Sequence, residues 1–160
     1  VAPRDRTIII TARPHHEGFS EKQEEDYKKE WDADVSNVVG VTAVQRSNVI
    51  LDPEVLSKAV RFVLVEGGSI KVSAETHFDR VDITLKGHGD IDLKGSHTRE
   101  AIVLLSGCGD IKNFLISKQG TLQVTGAGWI ECSRAPTAKV HKNVWGYGNV
   151  KIDVQPDEGV

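Results

Sequence analysis

The chain has 160 residues, which suits one domain with a core of its own. Its 20 basic and 23 acidic side chains leave a net charge of −3 and are spread along the chain, which excludes the basic stripe of a nucleic-acid-binding surface. No apolar run approaches the ~20 residues that span a bilayer, so membrane insertion by this chain is not expected.

Methionine is absent throughout, and the initiator is expected to have been removed ahead of Val1. The pattern Asn-x-Ser/Thr is also absent, so N-glycosylation is not expected. Taken in chain order, "TIIIT" (7–11), "VVGVTAV" (38–44) and "NVILD" (48–52) read as strands, the irregular first turns of a stacked fold. Between the first two, "SEKQEEDYKKEWDAD" reads as a short helix over about 21–34. Ser20 can cap it with Gln23, and Tyr27 and Trp31 give it one narrow apolar stripe. Residues 1–59 are therefore expected to form an irregular N-terminal cap region on the same domain. Its helix either covers an open end of the fold or stands as a charged, partly solvated insertion.

From residue 60 to 154 the chain repeats. Corners of the form Gly-x-Gly begin at Gly87, Gly107, Gly126 and Gly146, in steps of 20, 19 and 20. A fainter version, "EGGSIKV", places Gly67 another 20 residues before Gly87, with one residue deleted from the corner. Two positions before each first glycine stand Val65, Leu85, Leu105, Val124 and Val144. Four before it stand Val63, Ile83, Val103, Leu122 and, as a departure, Lys142; four after the full corners stand Ile91, Ile111, Ile130 and Val150. That is the period of two of a half-buried strand, in residue types that suit a pleated surface. Two short strands joined by a corner, recurring about every 20 residues, describe one turn of an all-β solenoid. Like side chains should then pile up at the inter-strand spacing of roughly 4.8 Å. Glycine serves positive φ or close backbone approach at the corner, and the variable residue between the glycines points away from the core. Leucine-rich repeats have similar length but carry an asparagine ladder and a helical or 3₁₀ half that are absent here, and calcium-binding nonapeptide and hexapeptide repeats have a shorter beat. The tail over 155–160 is expected to be disordered.

The corners "KGHGDIDL", "SGCGDIKN", "TGAGWIEC" and "WGYGNVKI" resemble the Gly-Ser-Gly-Asp-Ile/Val repeats of the GIN domain, the head domain of autotransporter-type adhesins, over about residues 60 to 154. The resemblance implies a right-handed parallel β-helix from a cell-surface or periplasmic protein, with no enzymatic activity. This chain departs from the pattern in never carrying serine between the glycines and in having Trp129 where aspartate is usual.

Several positions invite chemistry. Asp90 and Asp110 occupy one corner position in adjacent turns, as a cation site or acid pair would require. Against that, aspartate often accepts a backbone N–H inside its own bend, and two such charges in water repel by only about 1 kcal/mol. Trp129 and Asn149 then continue the column without carboxylates. His77 and His97 are also one repeat apart, but zinc usually takes three or four protein ligands, so solvated loop histidines are expected and no metal or cofactor. Cys108 lies one residue past its first glycine and Cys132 six past its own. Roughly 16 Å of strand separates such positions, against the ~7 Å that a disulfide bridges. Two free thiols are expected, which leaves an intracellular or virion location open beside the surface one. No histidine is placed by motif beside either thiol, so a nucleophilic role is not expected.

Trp129, Trp145 and Tyr147 gather around the last two corners and are the candidate ligand-binding residues, since aromatic faces on a rigid sheet can stack on sugar rings. The competing reading is that they seal the C-terminal end or pack in an oligomer. Phe62, Leu64, Ile102 and Leu104, out of phase with the inward set, should face outward and need cover from the Tyr27/Trp31 helix or a second subunit. A homo-oligomer is expected on that ground, a trimer as readily as a dimer. The reading is of a non-catalytic head or display module that binds a glycan or protein, or builds an assembly. The alternative is a glycan-active lyase or hydrolase, which would need an exposed groove with clustered acids and a base.

Overall fold

A computed structural model describes residues 6–11, 38–44 and 48–155. The helix expected over 21–34, with Tyr27 and Trp31, and the tail beyond residue 155 lie outside the described residues. Eleven strands follow in chain order: β1 (Arg6–Thr11), β2 (Val38–Val44), β3 (Asn48–Leu51), β4 (Leu56–Val65), β5 (Ser69–Val72), β6 (His77–Lys86), β7 (Asp90–Leu105), β8 (Asp110–Val124), β9 (Trp129–Arg134), β10 (Lys139–Val144) and β11 (Asn149–Val154). Each pairs in parallel with strands of the neighbouring turns. The result is a β-solenoid of about six turns. The three apolar stretches ahead of the repeats form β1, β2 and β3, rungs of the same stack. The one helical element among the described residues is a 3₁₀ turn at Pro53–Val55, where Asp52 accepts the Glu54 N–H at 3.0 Å.

The core is built of columns. Val49, Ile70, Ile91, Ile111, Ile130 and Val150 are rung-to-rung partners, and all are buried. On the strand ahead of the corner, Leu64, Leu85, Leu105 and Val124 make a second column, and Phe62, Ile83, Val103 and Leu122 a third. Full burial of such a side chain contributes roughly 1.5–3 kcal/mol, so these columns supply the main drive for winding.

A second bend interrupts β7 and β8. In β7 it falls at Lys94 and Gly95, with φ of 57° and 83°; in β8 it falls at Asn113, with φ of 65°. Asp92 stabilises both, its Oδ1 accepting the Lys94 N–H at 2.8 Å and the Asn113 amide at 2.9 Å from the next turn. Just past the bend Ser96 is buried, and its hydroxyl donates to the Leu93 carbonyl at 2.6 Å and accepts from the Thr76 N–H at 3.1 Å. Buried Thr98 donates to the Glu100 carbonyl at 2.6 Å. Both polar side chains are thus satisfied inside the tube, which removes the cost of burying them.

Three expectations are overturned. The faint first corner has no deletion: Ser69 pairs with Asp90, the Asp90 N–H donates to the Gly68 carbonyl, and the Glu66 N–H donates to the Lys86 carbonyl. Hence "EGGS" stacks on "GHGD", and Glu66 holds the place of the first glycine at a φ of 75°. The strand before it shifts by one residue. Phe62 and Leu64 face inward and are fully buried, while Val63 and Val65 are half-buried, the reverse of the expected phase. Ile102 is exposed and Leu104 half-buried, as expected of outward positions. Val144 was expected inward. It pairs with Val124 but is 38% exposed, because β10 belongs to the last described turn and has no described rung above it.

Candidate functional site

The last two corners are held by their backbones. In the third, Ala127 and Gly128 donate to the Gly107 carbonyl at 3.0 and 3.2 Å, and Trp129 to that of Gly109 at 3.2 Å. In the fourth, Trp145 donates to the Val124 carbonyl at 2.7 Å, Tyr147 and Gly148 to that of Gly126, and Asn149 to that of Gly128. Asn149 Oδ1 also accepts the Val150 N–H at 2.8 Å. On this fixed frame Trp129, Trp145 and Tyr147 are 45%, 69% and 97% exposed. The three are brought to adjacent corners, with Trp129 one rung from Asn149, but no ring contact joins them among the described residues. Tyr147 covers almost nothing of its own chain.

The other paired residues meet as their spacing implies. Asp90 and Asp110 are rung partners, with Ser69 on one side and Trp129 on the other, so the acidic column is two residues long. His77 and His97 are rung partners too, their rings edge to face with centroids 5.0 Å apart. Among the described residues no group of three or more His, Cys, Asp or Glu gathers as a metal site would. A groove of about 360 Å³ beside the second bend is lined by His97, Asn113, Glu131, Ser133 and Asp153, among others, and none of the aromatic trio borders it.

Both thiols are free, Cys132 buried and Cys108 exposed. Burial pushes the Cys132 thiol up to about 12, with the negative charge of Asp153 adding to the effect. One contact corrects the expectation for the thiols. Cys108 Sγ lies 2.6 Å from His88 Nδ1, so a histidine does stand beside a cysteine. The signal was in the repeat arithmetic: the frame that pairs Asp90 with Asp110 also pairs the residues two before them.

The family model described as "Putative auto-transporter adhesin, head GIN domain" matches residues 33–157. The chain belongs to this family. The match begins ahead of β2, so it takes in β2 and β3 as well as the glycine corners and leaves β1 outside it. No significant match arises among curated proteins or among solved structures. The family's description suggests a non-catalytic display role, and the residues between the glycines of the four full corners, His88, Cys108, Ala127 and Tyr147, are exposed. No helix among the described residues is long and apolar enough to cross a membrane.

Proposed function

We propose that this GIN domain is a rigid, non-catalytic head at the cell surface that binds a glycan or protein partner through Trp129, Trp145 and Tyr147. The observation that carries the reading is the exposure of Trp145 and Tyr147 on a corner whose backbone is clamped by hydrogen bonds to the turn before. Large aromatic faces held on a stiff frame lose little conformational freedom on binding, which is the condition for useful affinity from a small contact. The apolar face of a sugar ring or a partner's side chain suits such a surface. The test is a glycan array and a surface-protein panel probed with the full chain and with a Trp145→Ala/Tyr147→Ala variant. Binding by the wild type that is lost in the variant supports the reading; an unchanged binding profile in the variant removes these residues from it.

A second reading is assembly. Val144 and Val154, 38% and 52% exposed, add apolar surface to the same end, where a second copy of the chain would find cover for it. Phe62 and Leu64, being buried, no longer call for a second subunit to cover them. Light scattering that shows a stable oligomer, together with silence on the array, favours this second reading. Among the described residues the enzymatic alternative has only Asp90 and Asp110 as acids in register. Polymer degradation abolished by Asp110→Asn would overturn the non-catalytic reading.

A further inference from the structure

The residues between the corner glycines form a column of their own: Gly67, His88, Cys108, Ala127 and Tyr147, set by the register of the residues two places on. His88 and Cys108 are adjacent in it and exposed, with Sγ and Nδ1 at 2.6 Å. Each is flanked in sequence by glycines on both sides, so no neighbouring side chain in its own corner screens it. The next places in the column are Gly67 on one side and Ala127 on the other, so nothing larger than a methyl group overhangs the pair until Tyr147. A thiol in contact with an imidazole and open to solvent is the arrangement that makes cysteine nucleophilic, because the thiolate is the attacking species and the imidazole can take the proton. The other thiol has neither property: Cys132 is buried, and its neighbour Asp153 opposes ionisation.

We infer that Cys108 is a modification site for small disulfide compounds, with His88 as its base. In the exchange, His88 Nδ1 accepts the thiol proton and Sγ attacks one sulfur of the disulfide R–S–S–R. The S–S bond of the reagent breaks as the Cys108–S–S–R bond forms, and the second R–S⁻ leaves as a thiolate that takes up a proton. No net oxidant beyond the disulfide itself is required. The ionisable residues beside the pair are Lys86, Asp90 and Asp110 along these two corners and Glu66 in the corner of the turn before, an acidic excess that favours a cationic reagent over an anionic one.

The full chain is incubated with cystamine near neutral pH, and the adduct is followed by intact mass and peptide mapping. One reversible mixed disulfide is expected, on Cys108 and not on Cys132, and none in Cys108→Ser. His88→Gln is expected to slow the reaction about tenfold or more at neutral pH. The corner tolerates replacement at this position, since Ala127 holds the equivalent place. Circular dichroism of both variants checks that the stack is intact, and His88→Ala provides a second folded comparison. Equal rates for wild type and both His88 variants, or labelling of Cys132 as fast as Cys108, would overturn the assignment.

Discussion

Gly109→Ala separates the reason for the corner glycines from a mere preference. Gly109 is buried, and a methyl group built on it would be driven into the carbonyl of Gly89 one turn below. The obstacle is rigid backbone, so neither residue can swing aside. To admit the methyl, the two turns must part at the corner. That weakens the Asp110 N–H bond to Gly89 at 3.1 Å and the Cys108 N–H bond to Gly87 at 2.8 Å, and tilts the Trp129 N–H bond to Gly109 at 3.2 Å. At roughly 0.5–1.5 kcal/mol net for each bond, plus residual strain, the expected destabilisation is about 3–4 kcal/mol. That is a large part of the ~5–15 kcal/mol by which domains are stable. The neighbouring substitution Cys108→Ala touches an exposed side chain at a place where Ala127 already stands, and should cost no more than about 0.5 kcal/mol. Urea titration followed by tryptophan fluorescence measures both midpoints. If Gly109→Ala unfolds within about 1 kcal/mol of wild type, close backbone approach is not what selects glycine here.

Glu66→Gly should stabilise the chain. A side-chain-bearing residue at a φ of 75° is strained by roughly 1–2 kcal/mol, and glycine's greater freedom in the unfolded chain returns part of that, leaving a gain of up to about 1 kcal/mol in urea. A loss of stability would contradict the stacking of Glu66 in the first-glycine place. Cys132 predicts an alkaline limit. Its folded-state value near 12 lies above its ordinary value near 9, so the folded state holds the proton longer. The stability this contributes is whole below about pH 9 and drains away as pH rises toward 12, with a ceiling of about 4 kcal/mol at roughly 1.4 kcal/mol for each tenfold change. Cys132→Val should flatten that fall in denaturation midpoint between pH 9 and 11 relative to wild type; parallel curves would refute the assignment.

The repeat made most of this fold legible. In a parallel solenoid the residue one turn later is the next neighbour in space, so a period of about 20 residues converts directly into adjacency. The column of Ile91, Ile111, Ile130 and Val150, the meeting of His77 with His97 and the outward aromatics all follow from counting along the chain. Counting fails where glycine alone marks the corner. What aligns Glu66 with Gly87 is backbone hydrogen bonding and a left-handed φ, neither of which residue type alone reveals, and the shift turned Phe62 and Leu64 inward. The exposure of Val144 reflects its place in the last described turn, invisible to a rule that treats every turn as interior.

Tertiary structure also decided the second bend, since Asp92 and Asn113 meet only once their turns are stacked. It decided the two thiols as well. The chain alone placed both near glycine corners, but depth inside the tube silences Cys132, while the imidazole of the turn below stands against Cys108. Periodicity in the amino acids settles which residues are neighbours; only the folded backbone settles how closely they approach and which of them water can reach, because those depend on the ends, bends and spacing of the whole stack.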